Sequence, residues 1–315
     1  MDQYPVDAFM VVQRGKVVFE RYNTMRPIDK HNWFSSGKVI GATLLAMLEA
    51  EGQVELSRPE SFYLEELKDS VWDTVTVQQT VDMATGLNST EHDEPNHDSR
   101  TNPDQAWYKW AASLGLAPGG SDATPLEVLR TMQRKQPGNQ SFEYNSMNTF
   151  VINRIVEQIT SLPLNEYFSQ RIWRKMGAQA DGYVATSPQG YALHFFSTNS
   201  NLQDMARFGM AFTPSGGYLV PKKVVTKIQT AGKPEIFAQA YLGKLMNESF
   251  PVEKLRNAYQ WDAIFEDGDM FKGGVGGQGL YVSPARDTVI VWFSTGTGKN
   301  KEETFAREIA KYLKP

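Results

Sequence analysis

The residues best placed to do chemistry are Ser35 and Lys38, in the run Ser35-Ser36-Gly37-Lys38. A serine at position i and a lysine at i+3 share one face of a helix. A lysine held against a hydroxyl can take its proton, provided that burial or nearby charge lowers the lysine's own pKa. A helix N-terminus at the same place favours the negative charge that then develops. The flanks Trp33-Phe34 and Val39-Ile40 supply apolar cover. About one Ser-x-x-Lys is expected by chance in a chain of this composition, so the spacing alone is a weak signal. Its context is stronger. Lys38 is the sole Asp, Glu, Lys or Arg between Lys30 and Glu49, at the start of an otherwise apolar helical run, where a lysine needs a partner or a job.

Two later segments add candidates. Phe142-Glu143-Tyr144-Asn145-Ser146 reads as extended chain leading into a helix, which points Tyr144 and Ser146 the same way. A phenol facing a lysine can shuttle a proton. Taken alone, Tyr144 reads as a half-buried core tyrosine before it reads as a catalyst. Lys272-Gly273-Gly274-Val275-Gly276-Gly277-Gln278-Gly279 places five glycines in eight residues at a strand edge. That density implies close approach of backbone to something, and free N–H groups there can receive a carbonyl oxygen or an oxyanion. A bulge or a tight turn is the plainer reading. The order does not match a phosphate-binding Gly-x-x-x-x-Gly-Lys-Ser/Thr loop. No Gly-x-Ser-x-Gly elbow occurs. His31, His92, His97 and His194 form no metal-ligand pattern, so no metal and no cofactor is expected.

These segments need elements to hold them. Residues 8–22 read as a hairpin about Arg14-Gly15-Lys16. Residues 36–51 read as a buried helix closed by Gly52. Thr76 can cap a helix running to Thr85-Gly86, and further helices are expected over 104–115, 124–135, 146–160, 164–176 and 201–212. The polar stretch 88–103 reads as a loop. Strands return after about residue 256, over Tyr259–Phe265, Met270–Lys272, Leu280–Val282 and Thr288–Phe293. A last helix is expected from about Lys301 to Leu313, with Asn300 and Glu303 at capping-box spacing. A lone two-stranded hairpin is marginal. The expected fold is therefore α/β in the α+β sense: one antiparallel sheet built from both chain ends and flanked by helices, plus a mainly helical part. The expected organisation is a single domain over 1–315, with the sheet part at about 1–30 and 235–315 and the helical part at about 31–234.

The 315 residues, 41% of them hydrophobic, suffice for a sizeable core. A net charge of −4 without a clustered basic face argues against nucleic acid as a partner. The absence of cysteine excludes disulfides and a thiol nucleophile. No apolar run reaches the ~20 residues of a membrane span. The start Met1-Asp2-Gln3-Tyr4-Pro5 does not read as a signal peptide, and the compartment, cytoplasmic or periplasmic, stays open.

The order Ser-x-x-Lys, Tyr-x-Ser/Asn, Lys-x-Gly resembles the serine β-lactamase and penicillin-binding-protein superfamily. Within it the chain is most similar to the class C β-lactamase-like branch, which includes 6-aminohexanoate-dimer hydrolases, family VIII carboxylesterases and D-amino-acid peptidases. Val11–Tyr22, Val81–Leu87, Leu202–Gly209, Tyr259-Gln260-Trp261 and Gly276–Gly279 resemble further segments of that branch in the same order. The resemblance implies that Ser35 is acylated, that Lys38 helps deprotonate it, and that Tyr144 acts with Lys38 and protonates the leaving group. It implies an oxyanion hole from the backbone N–H groups of Ser35 and Val275. It makes Ser146, Lys272, Gly273, Gly274 and Gln278 substrate-binding positions. Gly273 stands where the family has a threonine, and Ser146 where it has Asn or Ser. Both departures turn the expectation from β-lactams toward a small-molecule carboxylic ester or linear amide. The stretch before Ser35 is short for the family, so a missing or trimmed N-terminal segment is expected. A D-amino-acid peptidase or weak β-lactamase, and a non-hydrolytic penicillin-binding-like sensor or scaffold, are the alternatives.

Overall fold

A computed structural model describes residues 6–91, 99–296 and 302–314. Its main feature is a seven-stranded sheet in the order β2-β1-β10-β9-β8-β7-β6. The strands are β1 (Val6–Gln13), β2 (Lys16–Tyr22), β6 (Arg256–Ala258), β7 (Trp261–Ile264), β8 (Met270–Gly274), β9 (Gln278–Ser283) and β10 (Thr288–Ser294). All pairings are antiparallel, and β1 lies beside β10 with Phe9 opposite Trp292. The two chain ends thus share one sheet, as expected.

The alternation of side chains shows that both faces of this sheet are covered. Leu280, Val282, Val289, Val291 and Phe293 join the larger core, which contains the helices Lys38–Ala50, Ser146–Thr160 and Leu202–Met210. Tyr281, Ile290 and Trp292 face the other way, into a smaller core with Ala306 and Ala310 of the C-terminal helix Glu302–Tyr312. In β1 the same alternation divides Ala8, Met10 and Val12 from Phe9 and Val11. β2 is an edge strand, and its Val17, Val18 and Phe19 are exposed.

A second sheet was not legible. It joins β3 (His31–Asn32), β5 (Thr198–Ser200) and β4 (Tyr183–Val184) in the order β3-β5-β4. Strands of two and three residues carry no readable period, yet this sheet ties the chain just before Ser35 to residues 183–200. Three helices, Lys222–Thr230, Pro234–Gln239 and Tyr241–Ser249, also precede the C-terminal strands without having been foreseen.

Several expected helices are shorter. The helix capped by Thr76 is Val77–Val81, with the capping box closed by Gln79. It stops because the next residues pair elsewhere: Glu143 N–H donates to Met83 O (2.7 Å) and Asn139 N–H to Ala84 O (2.8 Å). Those bonds fasten the segment leading to Tyr144. The 124–135 helix is Pro125–Arg130, the 104–115 helix is Ala106–Ser113, and the 201–212 helix is Leu202–Met210. The 164–176 helix is Leu164–Phe168 continued by a wider π turn, Ser169–Trp173. Tyr259 and Gln260 are the turn of a hairpin rather than strand, with φ of +48° and +67°. Those values match the type I′ geometry that suits sheet twist. Here the buried Gln260 side chain stands in for the usual glycine preference: its Nε2 donates to Thr80 O and Val81 O, and its Oε1 accepts from Thr149. His92, His97, Lys301 and the Asn300 cap lie outside the described residues.

Candidate active site

Ser35 sits in a 3-10 turn, Phe34–Gly37, immediately before the Lys38–Ala50 helix. Phe34 has φ +47°, a strained value for a residue with a side chain. It is held there by its N–H bond to Asn32 Oδ1 (2.8 Å) and by the Ser36 N–H bond to Trp33 O (3.0 Å). The turn is clasped from two sides. A Cβ on Gly37 would lie 2.1 Å from His194 O, and one on Gly274 would lie 2.5 Å from Trp33 O. Only glycine lets the 194–198 segment and β8 approach this closely. Ser36 Oγ, 3.2 Å from Lys272 O, adds a hydrogen bond to β8.

Lys38, the first residue of the helix, is fully buried and donates from Nζ to Ser35 Oγ at 3.0 Å. Burial pushes its ammonium from 10.5 down to about 8. Nearby Glu91 opposes that change, and Lys272 reinforces it. Tyr144 stands over both lysines, with Lys38 Nζ 4.9 Å and Lys272 Nζ 4.8 Å from its ring centroid. Its hydroxyl accepts from Lys272 Nζ at 3.2 Å and lies within hydrogen-bonding reach of Ser35. Burial, with the charges of Asp262 and Glu91, raises the phenol well above 10, so it is protonated.

Ser35, Lys38, Tyr144 and Lys272 are therefore brought together from three separate parts of the chain. Lys272 is as buried as Lys38, and burial lowers its pKa. It forms an ion pair with Asp262 Oδ1 (2.5 Å), and the other oxygen of Asp262 accepts from Gly273 N–H (3.0 Å). Asp262 was not anticipated. It lies in an aromatic strand segment, and its partner is reached only across the β7–β8 hairpin. Glu91 was likewise passed over inside a loop. It is buried and accepts from both the N–H (2.8 Å) and the hydroxyl of Ser146.

That contact changes the picture of Ser146. The helix begins at this residue, after Asn145 as its N-cap, so the stretch is not extended through 146. Ser146 is turned to Glu91, and Glu91 lines the cavity. Gln278 is nearly fully buried and braces the glycine turn, donating to Val275 O and accepting from Ser294 N–H. Gly276 and Gly277 occupy the left-handed region at φ +89° and +97°. The N–H groups of Ser35 and Val275 have no hydrogen-bond partner among the described residues.

The cavity at Ser35 measures about 450 Å³. Tyr144, Asp262, Gly273, Gly274, Val275, Gly277 and Gln278 form one side. Tyr241, Leu242, Leu245 and Met246 of the Tyr241–Ser249 helix form an apolar wall, with Phe271 and Trp292. Glu91, Arg100 and Glu303 also line it, and burial raises the Glu303 carboxyl. The aromatic residues between 183 and 196 are not among those that line this cavity. Phe195 is instead stacked on Trp110 in the core, Tyr191 packs on Phe150, and Tyr183 lies under Lys30 beside a different cavity. Phe196 packs edge-on to Phe34. No described helix is long and apolar enough to cross a membrane.

The family model described as Beta-lactamase matches residues 1–313. The chain is 27% identical over 301 residues to a 6-aminohexanoate-dimer hydrolase of Paenarthrobacter ureafaciens, covering 94% of this chain and 74% of the relative. A solved structure from Bacillus anthracis, assigned as a 6-aminohexanoate-dimer hydrolase, superposes with a TM-score of 0.80 at 26% identity, over 99% of this chain and 80% of that one. EstCE1, described as a hydrolase with promiscuous acyltransferase activity, shares the fold at a TM-score of 0.72 and 13% identity, over 100% of this chain and 95% of its own.

Proposed function

Because the chain belongs to the Beta-lactamase family of serine hydrolases, we propose that it cleaves a carboxylic ester or linear amide through an acyl-enzyme on Ser35. The observation that carries this reading is the 3.0 Å contact from Lys38 Nζ to Ser35 Oγ, made by a lysine whose burial lowers its pKa to about 8. At pH 7 about a tenth of such lysines are neutral, enough for a base poised near the working pH. Ser35 Oγ attacks the carbonyl carbon and its proton passes to Lys38. The carbonyl oxygen takes up the electron pair and is received by the N–H groups of Ser35 and Val275. As the intermediate collapses, the alcohol or amine leaves with a proton delivered through Tyr144, which is reprotonated from Lys38. Water then repeats the sequence on the acyl-enzyme and releases the acid. Lys272 keeps the Tyr144 hydroxyl in place. The apolar wall of Leu242, Leu245 and Met246 suits an uncharged acyl chain. The relatives described as acting on an aminohexanoate dimer, and the neighbour described as an acyltransferase-active hydrolase, favour esters and linear amides.

The test is direct. A fluorophosphonate should label Ser35, and a p-nitrophenyl ester should give a burst of one nitrophenol per chain. Ser35→Ala should lose at least about a thousandfold in kcat/KM. If Ser35→Ala hydrolyses the ester as well as the wild type, the assignment fails.

A further inference from the structure

Asp262 occupies an unusual place in the cavity. Its two oxygens take an ammonium and a backbone N–H, from Lys272 and Gly273. Those are the kinds of donor with which proteins commonly receive a ligand's carboxylate. The β7–β8 ladder runs through Ala263 opposite Phe271, and beyond it the Gly273 N–H goes to the Asp262 side chain instead of to the β7 backbone. The neighbouring glycine, Gly274, packs against the Ser35 turn. A group lying along this end of β8 is therefore beside the nucleophile and beside Asp262, and both surfaces line one cavity.

The surrounding charges do not offset this. Lys272 is already paired, its other contact being Tyr144. Lys38 faces Ser35 and Glu91 adds a second carboxylate on that side. Arg100 also lines the cavity, engaged with groups of its own. A substrate carboxylate brought along β8 would find both donors taken by Asp262, with no hydrogen bonds there to offset its desolvation. An uncharged group would leave every hydrogen bond in place.

We propose that Asp262 is a built-in anion that fills the carboxylate-anchoring donors of the site and so excludes substrates that carry a carboxylate at the group lying along β8. This rests on the Ser35 acyl-enzyme reading above and names its substrate class. Asp262 discriminates by charge, and through Lys272 it also positions Tyr144.

Two nearly isosteric esters test it: p-nitrophenyl butyrate and mono-p-nitrophenyl succinate, which differ by a terminal carboxylate. The wild type should prefer the butyrate in kcat/KM at least about tenfold, because the donors that would receive the succinate carboxylate are filled by Asp262 and a desolvated carboxylate without donors is costly. Asp262→Asn should shrink that preference at least tenfold, and Asp262→Glu should keep it. Thermal melts of each variant report whether it is folded. The wild-type comparison stands even if Asp262→Asn does not fold, because a wild type that takes both esters equally refutes the proposal outright. An Asp262→Asn protein that is folded and active with an unchanged preference refutes it too. Phenylboronic acid and 4-carboxyphenylboronic acid, titrated into the wild type by calorimetry, give the same comparison without turnover, and tighter binding of the carboxylated compound overturns the charge argument. Failure to cleave either ester or to bind either boronate would instead refute the nucleophile assignment, and this inference would fall with it.

Discussion

Lys38 should lower the stability of the fold below pH 8, by an amount that follows from its burial. Its ammonium titrates at about 8 in the folded chain and near 10.4 when unfolded. Between those values the unfolded chain binds more protons than the folded one, so stability rises with pH across that window. Below about pH 8 both states are protonated and the full penalty of about 3 kcal/mol is present. It falls to about 2 kcal/mol at pH 9 and about 1 kcal/mol at pH 10. Lys38→Met removes the charge while keeping an unbranched stem that fits the same space. It also deletes the donor to Ser35, a bond worth about 1 kcal/mol. The variant should therefore be inactive yet more stable than the wild type by about 2 kcal/mol at pH 7. That advantage should disappear by about pH 10, where the lost bond offsets what remains. Urea denaturation followed by circular dichroism at pH 7, 8, 9 and 10 measures this. Taking the difference between the two proteins cancels the titration of groups they share. A variant less stable than the wild type at pH 7, or a difference that does not change with pH, would mean that Glu91 and Asp262 hold Lys38 charged. Its assignment as base would then be wrong.

The same titration sets the activity. kcat/KM for a neutral ester should climb about tenfold per pH unit below pH 8 and level off above it, and a flat profile from pH 6 to 9 would exclude Lys38 as the base. Gly274→Ala places a Cβ 2.5 Å from Trp33 O and 3.3 Å from Ser35 N, forcing β8 off the Ser35 turn. It should reduce kcat about a hundredfold in a protein whose circular dichroism is unchanged, and wild-type kcat would show that the close approach is not needed.

What could be read from the chain, and what could not, divides by the range of the interactions involved. The sheet built from both ends was legible because β1, β9 and β10 carry their own apolar runs, and a hairpin needs partners. Lys38 was legible because it interrupts an apolar helix within a single turn of Ser35. Asp262 and Glu91 were not, since a carboxylate in a strand or a polar loop looks solvated until its partner is known. Lys272 and Ser146 are supplied by other elements. The cleft wall failed for a different reason. Tyr241, Leu242, Leu245 and Met246 lie on a nine-residue helix interrupted by Gly243, too short a pattern to announce an apolar wall in the sequence.

The charges around Ser35 explain why a lysine with two acids nearby still loses its proton easily. Lys272 and Asp262 neutralise each other at 2.5 Å. Glu91 and Arg100 add one charge of each sign at the same cavity. Protonating Lys38 adds a positive charge in a desolvated pocket, which burial penalises. In the proposed reaction that charge appears together with the oxyanion, a few ångströms away, so the tetrahedral intermediate compensates a charge that stands alone when the free enzyme is protonated. The protein thus makes the protonated lysine costly in the ground state and compensated in the transition state, which is the differential stabilisation that accelerates a reaction. Replacing Asp262 by a neutral residue would remove one of the charges around Lys38. It would leave Lys272 as an uncompensated buried cation and lower the pKa of Lys38 further. The acidic limb of the pH profile in Asp262→Asn should therefore lie at lower pH than that of the wild type, and a limb that stays in place or moves upward would show that the two lysines do not share one electrostatic account.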